Sequence, residues 1–265
     1  MSFDVEEFVH YQIANAEVRR YPFPHFYVAP IFPPDFYGQL LQSLPPTDWY
    51  RPIEETASVH FLQEKPEGAS AYPERFITDL ADVEEREEHA GTGDFWRRIS
   101  EWITGDRFRT LVLRKFGPDI TARFGAGTKL ATGIDARLVR DFTRYAIGPH
   151  TDSTTKLVSL LFYLPKDSGM SHLGTSIYSP LDPSFRCPGG PHYPFRKFRK
   201  VASMPFAPNA LFGFFKTDQS FHGVDQIVDE NVERNLLLYN IYVRGMSKRA
   251  GRKWPWSALR DQASG

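Results

Sequence analysis

The chain of 265 residues contains a single cysteine, Cys187. One cysteine excludes an intramolecular disulfide, a cysteine-rich zinc site and a cysteine-ligated iron–sulfur cluster. A chain of this length buries enough apolar surface to fold without such cross-links. The scarcity of cysteine fits a reducing compartment, and we expect a cytoplasmic protein.

The sequence also lacks an excess of charge and a long apolar run. Lys and Arg together number 32, as do Asp and Glu, so the net charge is zero and no global basic field gathers nucleic acid. The longest apolar stretch, 157–164, is interrupted by Ser159 and falls far short of the roughly 20 residues of a membrane helix. Neither nucleic acid nor a membrane is expected as a partner.

Proline is plentiful, with 21 residues that fall between apolar runs rather than inside them. This distribution of proline indicates many short strands joined by turns. Apolar runs rich in β-branched and aromatic residues predict eight strands, at 130–142, 144–147, 156–164, 176–178, 200–206, 210–215, 221–227 and 235–243. So many strands in a short stretch predict a β-sandwich or jelly roll.

The first half of the chain has a different pattern. Apolar residues at helical spacing predict helices after Pro33 and Pro34, after Gly93 and over 106–116. We therefore expect an α+β fold, mainly β, in one domain. Its parts would be a mixed helical part at 1–127 packed on one face, a β core at 128–245 and a basic tail at 246–265.

The segment around His150-Thr151-Asp152 is the most informative for chemistry. In an extended strand, residues two apart project from the same face, so His150 and Asp152 can offer an imidazole and a carboxylate to one metal ion. His222 supplies a candidate third ligand 70 residues beyond Asp152. Two histidines and one carboxylate on one face of an octahedron are the ligand set of non-haem Fe(II) oxygenases.

Arg234 lies twelve residues after His222 and opens the apolar run 235–243. An arginine leading into a core strand is energetically expensive unless it meets an anion. Its planar guanidinium suits bidentate binding of a carboxylate. The pattern therefore predicts an anion-binding arginine.

The order His150-x-Asp152, His222, Arg234, set in short strands, resembles the Fe(II)- and 2-oxoglutarate-dependent dioxygenases, in particular their prolyl-hydroxylase-like branch. The resemblance covers roughly 130–244 and implies a double-stranded β-helix, that is, a jelly roll. It implies that His150, Asp152 and His222 hold Fe(II) and that Arg234 binds the distal carboxylate of 2-oxoglutarate. The implied reaction consumes O2, releases succinate and CO2, and hydroxylates an unactivated C–H bond.

The sequence departs from the family pattern beside Arg234. Many members have Arg-x-Ser, whereas this chain has Arg234-Asn235-Leu236, so the serine partner of the carboxylate is missing. Tyr145 is a candidate replacement, although a core aromatic residue is an equal interpretation. Halogenating relatives have a small residue in place of the carboxylate ligand, so Asp152 favours hydroxylation.

Two other functions stay open at this point. A zinc hydrolase would use the same three ligands and an open fourth position, but it leaves Arg234 unexplained. A non-catalytic ligand-binding β-sandwich would bind without turnover. The substrate of an enzyme would be a small molecule or a peptide. The long segment 183–200, with five cations and four aromatic residues, is a candidate lid or a loop tucked onto the sheet.

Overall fold

The computed structural model describes residues 4–53, 74–86 and 90–245, and the predicted basic tail lies outside them. Eleven strands occur in this part of the chain: β1 His25–Val28, β2 Arg51–Pro52, β3 Arg75–Asp79, β4 Thr132–Phe142, β5 Ile147–His150, β6 Lys156–Tyr163, β7 Thr175–Pro180, β8 Phe198–Met204, β9 Ala210–Phe215, β10 His222–Val224 and β11 Glu233–Val243. Six α-helices accompany them: α1 Val5–Asn15, α2 Pro34–Gln42, α3 Leu80–Glu84, α4 Ala90–Ile103, α5 Asp106–Lys115 and α6 Gly117–Phe124.

The strands form two antiparallel sheets. The larger sheet has the order β1-β9-β6-β11-β4-β3-β2, and the smaller has the order β5-β10-β7-β8. Strands that follow each other in the chain often lie in different sheets, as β4 and β5 do. This arrangement is consistent with the predicted jelly roll.

Strand β11 shows how side-chain alternation divides the larger sheet into two faces. Leu237, Tyr239 and Ile241 join an apolar cluster with residues of α1, α2, α4 and α5. The ring of Tyr239, for example, meets that of Phe108 of α5 at 5.2 Å between centroids. The alternate residues of β11 face the smaller sheet, where the polar side chains of the site lie.

The predicted strands correspond to β4–β11, with shifts of one to three residues at most of their ends. Strand β5 begins at Ile147, the last residue of the predicted range 144–147, and β8 begins at Phe198, two residues before the predicted start. Helices α2, α4 and α5 match the three predicted ones.

Several short elements were not predicted. Helix α1 begins after Asp4, whose carboxylate accepts the backbone N–H groups of Glu6 and Glu7. Gly117 and Pro118 directly follow the range 106–116 predicted for a helix and begin α6, because proline is tolerated in a first turn. In the described ranges, no helix combines the length and the apolar character that crossing a membrane requires.

Candidate metal centre and its pocket

Three side chains of the predicted ligand set lie together in the structure. His150, Asp152 and His222 each offer a ligand atom, and these atoms lie within 4.8 Å of one another. His150 ends β5 and His222 begins β10, directly opposite it in the antiparallel register. Opposed residues of paired strands approach closely, and the two imidazole centroids are 4.3 Å apart.

Asp152 reaches the site in a different way from the one expected. It lies two residues beyond the end of β5 rather than in the same extended strand as His150. The turn after His150 is held by Thr151, whose hydroxyl donates to the backbone carbonyl of Cys187 at 2.9 Å. The carboxylate is therefore positioned by a turn and its contacts, and not by strand alternation.

Backbone carbonyl groups orient both imidazoles. Nδ1 of His150 lies 3.0 Å from the carbonyl oxygen of Gly148, and Nδ1 of His222 lies 2.9 Å from that of Ser220. A carbonyl oxygen only accepts hydrogen bonds, so each Nδ1 carries the proton and each Nε2 keeps its lone pair. Fixing the tautomer through the other ring nitrogen is how proteins prepare a histidine to bind a metal.

Both oxygens of Asp152 have donors. Lys156 Nζ donates to Oδ1 at 2.9 Å, and Ser159 Oγ donates to Oδ2 at 2.9 Å. Burial opposes ionisation, but the Lys156 ammonium and the two imidazoles hold the pKa of Asp152 well below its usual value. The carboxylate is thus ionised and held in one orientation.

Burial disfavours the charged form of the two histidines as well, and here no neighbouring charge outweighs it. Desolvation lowers the pKa of His222, and desolvation together with the nearby His222 and His192 lowers the pKa of His150 well below its usual value. Both imidazoles are therefore neutral near pH 7. Two neutral imidazoles and one carboxylate are the protonation states in which these groups bind a divalent cation.

The triad lies in the wall of a cavity of about 220 Å³ between the two sheets. This volume is below the usual 300–1,000 Å³ of drug-sized ligand sites, so the cavity suits small molecules. Its walls are apolar in the middle, with polar side chains at both ends. The apolar part is formed by Ile147, Leu161, Phe214, Val224 and Leu238.

Arg234 lines the same cavity and is fully buried. Its Nε donates to the carbonyl oxygen of Leu173 at 2.9 Å, and its Nη1 donates to Asp141 Oδ2 at 2.5 Å. Asp141 also accepts both Nε and Nη2 of Arg75, at 2.6 and 2.8 Å. The predicted anion partner of Arg234 is therefore present in the chain itself, which the sequence did not reveal.

The Arg234 cluster nevertheless has capacity for a further anion. Two guanidinium groups share one carboxylate, which leaves the cluster of Arg75, Asp141 and Arg234 with one excess positive charge. Nη2 of Arg234 is buried and has no hydrogen-bond partner among the residues that the structure describes. A buried unpaired donor is costly, and a carboxylate in the cavity would satisfy both the charge and the donor.

Tyr145 and Thr175 lie in the wall of this cavity together with Arg234. The Arg75 guanidinium lies over the ring of Tyr145, 4.4 Å from its centroid. The hydroxyl of Thr175 accepts from Tyr163 at 2.8 Å, which leaves its own hydrogen available to the cavity. Leu236, at the position of the family serine, is buried in an apolar cluster, so either hydroxyl can take the role of that serine.

Residues 183–200 lie against the metal site. Their aromatic residues pack with Tyr178 and Phe221, while all five cations are exposed. Gly189 has a φ of +141°, and a Cβ there would meet the carbonyl oxygen of Asp152 at 2.4 Å, so glycine is needed for this approach. This packing favours a loop tucked onto the sheet, and its function as a lid stays a prediction.

His192 belongs to this segment. It is half-buried, and its ring centroid lies 4.7 Å from that of His150. Burial is the main cause that lowers its pKa to about 4, so it is neutral near pH 7. His172, by contrast, is an exposed residue, with its Nε2 3.0 Å from Asp229 Oδ2.

Lys156 should matter most when no metal is bound. Removing one partner of a buried ion pair leaves an uncompensated charge, so Lys156→Met is expected to lower the free energy of unfolding by about 3 kcal/mol. A divalent cation next to Asp152 replaces the missing charge. Addition of Mn²⁺ should therefore raise the Tm of this variant more than that of the wild-type protein, as measured by calorimetry.

A matched control is Lys115→Met. Lys115 is half-buried on the helical side and donates to the carbonyl groups of Ala14 and Ala16. Its loss should lower stability without enlarging the effect of Mn²⁺. An equal Mn²⁺ shift in the Lys156 variant and in wild type would contradict the role of Lys156.

The fold is similar to that of solved 2-oxoglutarate- and iron-dependent oxygenases. A prolyl 4-hydroxylase from Phytophthora capsici aligns with a TM-score of 0.51 at 15% identity, over 97% of this chain and 72% of that one. A prolyl-4-hydroxylase from Pseudomonas putida aligns with a TM-score of 0.48 at 14% identity, over 91% and 99% of the two chains. An oxidoreductase of the 2OG-Fe(II) oxygenase family from Burkholderia pseudomallei gives a TM-score of 0.46 at 14% identity, over 82% and 84%.

No protein-family model and no curated protein sequence matches the chain. The structural similarity to the Phytophthora capsici enzyme confirms the predicted resemblance at the level of the fold, which is that of the prolyl-hydroxylase-like oxygenases.

Several site residues were missed by sequence reasoning. Ser159 gave a signal, because it interrupts the apolar run 157–164, but nothing in the sequence pairs it with Asp152. Asp141 and Arg75 are 66 residues apart and meet only through the pairing of β3 with β4. Long-range pairing of this kind is not visible in local spacing.

Proposed function

We propose that the chain is an Fe(II)- and 2-oxoglutarate-dependent dioxygenase that hydroxylates an unactivated C–H bond with release of succinate and CO2. The observation that carries this proposal is a single cavity that contains both a two-histidine, one-carboxylate group and a buried arginine with a free donor. The fold shared with oxygenases supports it.

The donor set fits Fe(II). Nε2 of His150, Nε2 of His222 and one oxygen of Asp152 would hold the ion and leave its remaining positions open to other ligands. When bound, Fe(II) would supply the redox chemistry that couples the oxidation of 2-oxoglutarate by O2 to the oxidation of a C–H bond. The protein holds the tautomers of the imidazoles and the orientation of the carboxylate beforehand, so little reorganisation accompanies metal binding.

The opposite end of the cavity fits a dicarboxylate. One carboxylate of 2-oxoglutarate would pair with Nη2 of Arg234, and Tyr145 or Thr175 would donate a second hydrogen bond. The apolar wall between Arg234 and the triad, with Leu161 and Leu238, would face the methylene groups and exclude water. A charged group in such a place interacts strongly with its partner, because the local dielectric is low.

A zinc hydrolase with the same three ligands gives no role to the free Nη2 of Arg234. The deciding experiment is anaerobic reconstitution with Fe(II), followed by exposure to O2 and 2-oxoglutarate with measurement of succinate. We expect succinate only when Fe(II), O2 and 2-oxoglutarate are all present, and Zn²⁺ should not replace Fe(II). Ester or amide hydrolysis by the Zn²⁺-loaded protein, with no succinate from the Fe(II)-loaded protein, would favour the hydrolase.

We further propose that residues 1–265 form one dioxygenase domain in the cytoplasm and that the substrate is a small molecule or a peptide. The volume of about 220 Å³ supports a small reacting group in the cavity. A peptide would have to present such a group from one side chain. A panel of amino acids, small metabolites and peptides, screened for succinate formation above the background rate, tests both classes.

A further inference from the structure

A second unsatisfied polar atom lies at the other end of the cavity. Asn240 is 2% exposed and lines the cavity. Its Nδ2 donates to Asp135 Oδ1 at 2.7 Å, which fixes the orientation of the amide. Its Oδ1 is buried, and no residue in the described ranges donates a hydrogen bond to it. A buried acceptor without a donor costs free energy. A ligand that donates a hydrogen bond to this oxygen would therefore gain binding free energy.

The strand register places this oxygen near the metal centre. On β11, Asn240 lies directly opposite Ser159 of β6, and Ser159 donates to the metal-binding carboxylate of Asp152. Opposed side chains on one face of a sheet have Cβ atoms about 4.5–5.5 Å apart. Arg234 lies six residues earlier on the same strand, or about 20 Å along it. Asn240 therefore belongs to the metal end of the cavity and not to the end with Arg234.

The cations on this wall have partners of their own. Lys156 donates to Asp152 at 2.9 Å, and Arg137 Nε donates to Asp79 at 2.7 Å. At this wall, Asn240 Oδ1 is thus the atom that still needs a hydrogen-bond donor. 2-Oxoglutarate, a dianion at neutral pH, has only acceptor oxygens and cannot satisfy Asn240. The donor has to come from a different molecule.

We infer that Asn240 Oδ1 binds a hydroxyl or amine hydrogen of the primary substrate and thereby selects substrates that carry such a donor near the carbon to be oxidised. That the bound molecule is oxidised rests on the proposed function, whereas its binding at Asn240 does not. Asn240 determines specificity in this way because its amide orientation is fixed by Asp135.

The test uses two probes of almost equal shape, cyclohexanol and cyclohexanone. The alcohol donates a hydrogen bond and the ketone only accepts. Ligand-observed NMR on the full chain without added metal gives the Kd of each probe. A neutral hydrogen bond is worth about a three- to tenfold change in Kd, so the alcohol should bind wild type more tightly by that factor. In Asn240→Leu the preference should vanish.

Two further variants keep the outcome interpretable. Tyr242→Phe removes a hydroxyl from the same wall and should retain the preference for the alcohol. Asn240→Ala replaces the leucine variant if that one does not fold, and should also lose the preference. Equal binding of the two probes to wild type, or binding of neither, overturns the inference, as does a preference that survives in the Asn240 variants. Because the measurement needs neither iron nor turnover, its failure is distinct from an absence of succinate formation.

Discussion

His222→Ala is expected to abolish iron binding and succinate formation while the fold remains intact. Loss of a group that merely orients a metal ligand costs about 10–100-fold in affinity, so loss of the ligand itself should cost more than about 100-fold. His222 lies at the start of β10 and lines the cavity, so a smaller side chain there loses ring contacts with His150 and Phe214 but leaves the strand pairing in place. Anaerobic titration with Fe(II), together with succinate measurement, checks both expectations.

The control for this prediction is His172→Ala. His172 is exposed and pairs only with Asp229 among the residues described, so its replacement should change neither iron affinity nor turnover. His150→Ala should reproduce the effect of His222→Ala. Asp152→Ala is a less clean variant, because it leaves the buried ammonium of Lys156 without its carboxylate. Unchanged Fe(II) affinity in the His222 variant would refute the triad.

Arg234→Met should weaken 2-oxoglutarate binding far more than iron binding. Truncating one partner of a buried charge pair costs about 2–5 kcal/mol, which corresponds to about a 30- to 5,000-fold rise in Kd. The structure adds an effect that the sequence did not predict, because Arg234 also pairs with Asp141. Arg75 continues to bind Asp141 through two hydrogen bonds, so we expect a loss of stability at the lower end of the roughly 3–5 kcal/mol typical of a broken buried pair.

Arg140→Met separates the two effects of the Arg234 substitution. Arg140 is buried in the same sheet, but its guanidinium bonds to Pro45, Thr47 and Asn235 instead of facing the cavity. Both variants should lose stability in a denaturant titration, whereas only Arg234→Met should lose 2-oxoglutarate affinity in calorimetry. Equal affinities for 2-oxoglutarate in wild type and Arg234→Met would refute the assignment of the carboxylate site.

The local pattern of apolar residues in the sequence was sufficient to predict much of the secondary structure. Strands β4–β11 follow apolar runs bounded by proline and glycine, and each such run has few ways to bury its side chains other than in a sheet. The short helix α3 and strand β3 escaped prediction because their segments are too short for a periodic signal. Strand β3 matters for the site, since its pairing with β4 places Arg75 next to Asp141.

By itself the sequence determined which side chains are the candidate metal ligands and which arginine is the candidate anion-binding residue, because His150-x-Asp152, His222 and Arg234 carry chemistry that few other residue sets offer. The partners of these residues were decided only by the tertiary structure. Lys156 and Ser159 hold Asp152, and Asp141 shares its charge between two arginines, through contacts that depend on strand register and turn geometry. A register shift of one residue turns every side chain of a strand to the other face, so these partners depend on the folded chain as a whole.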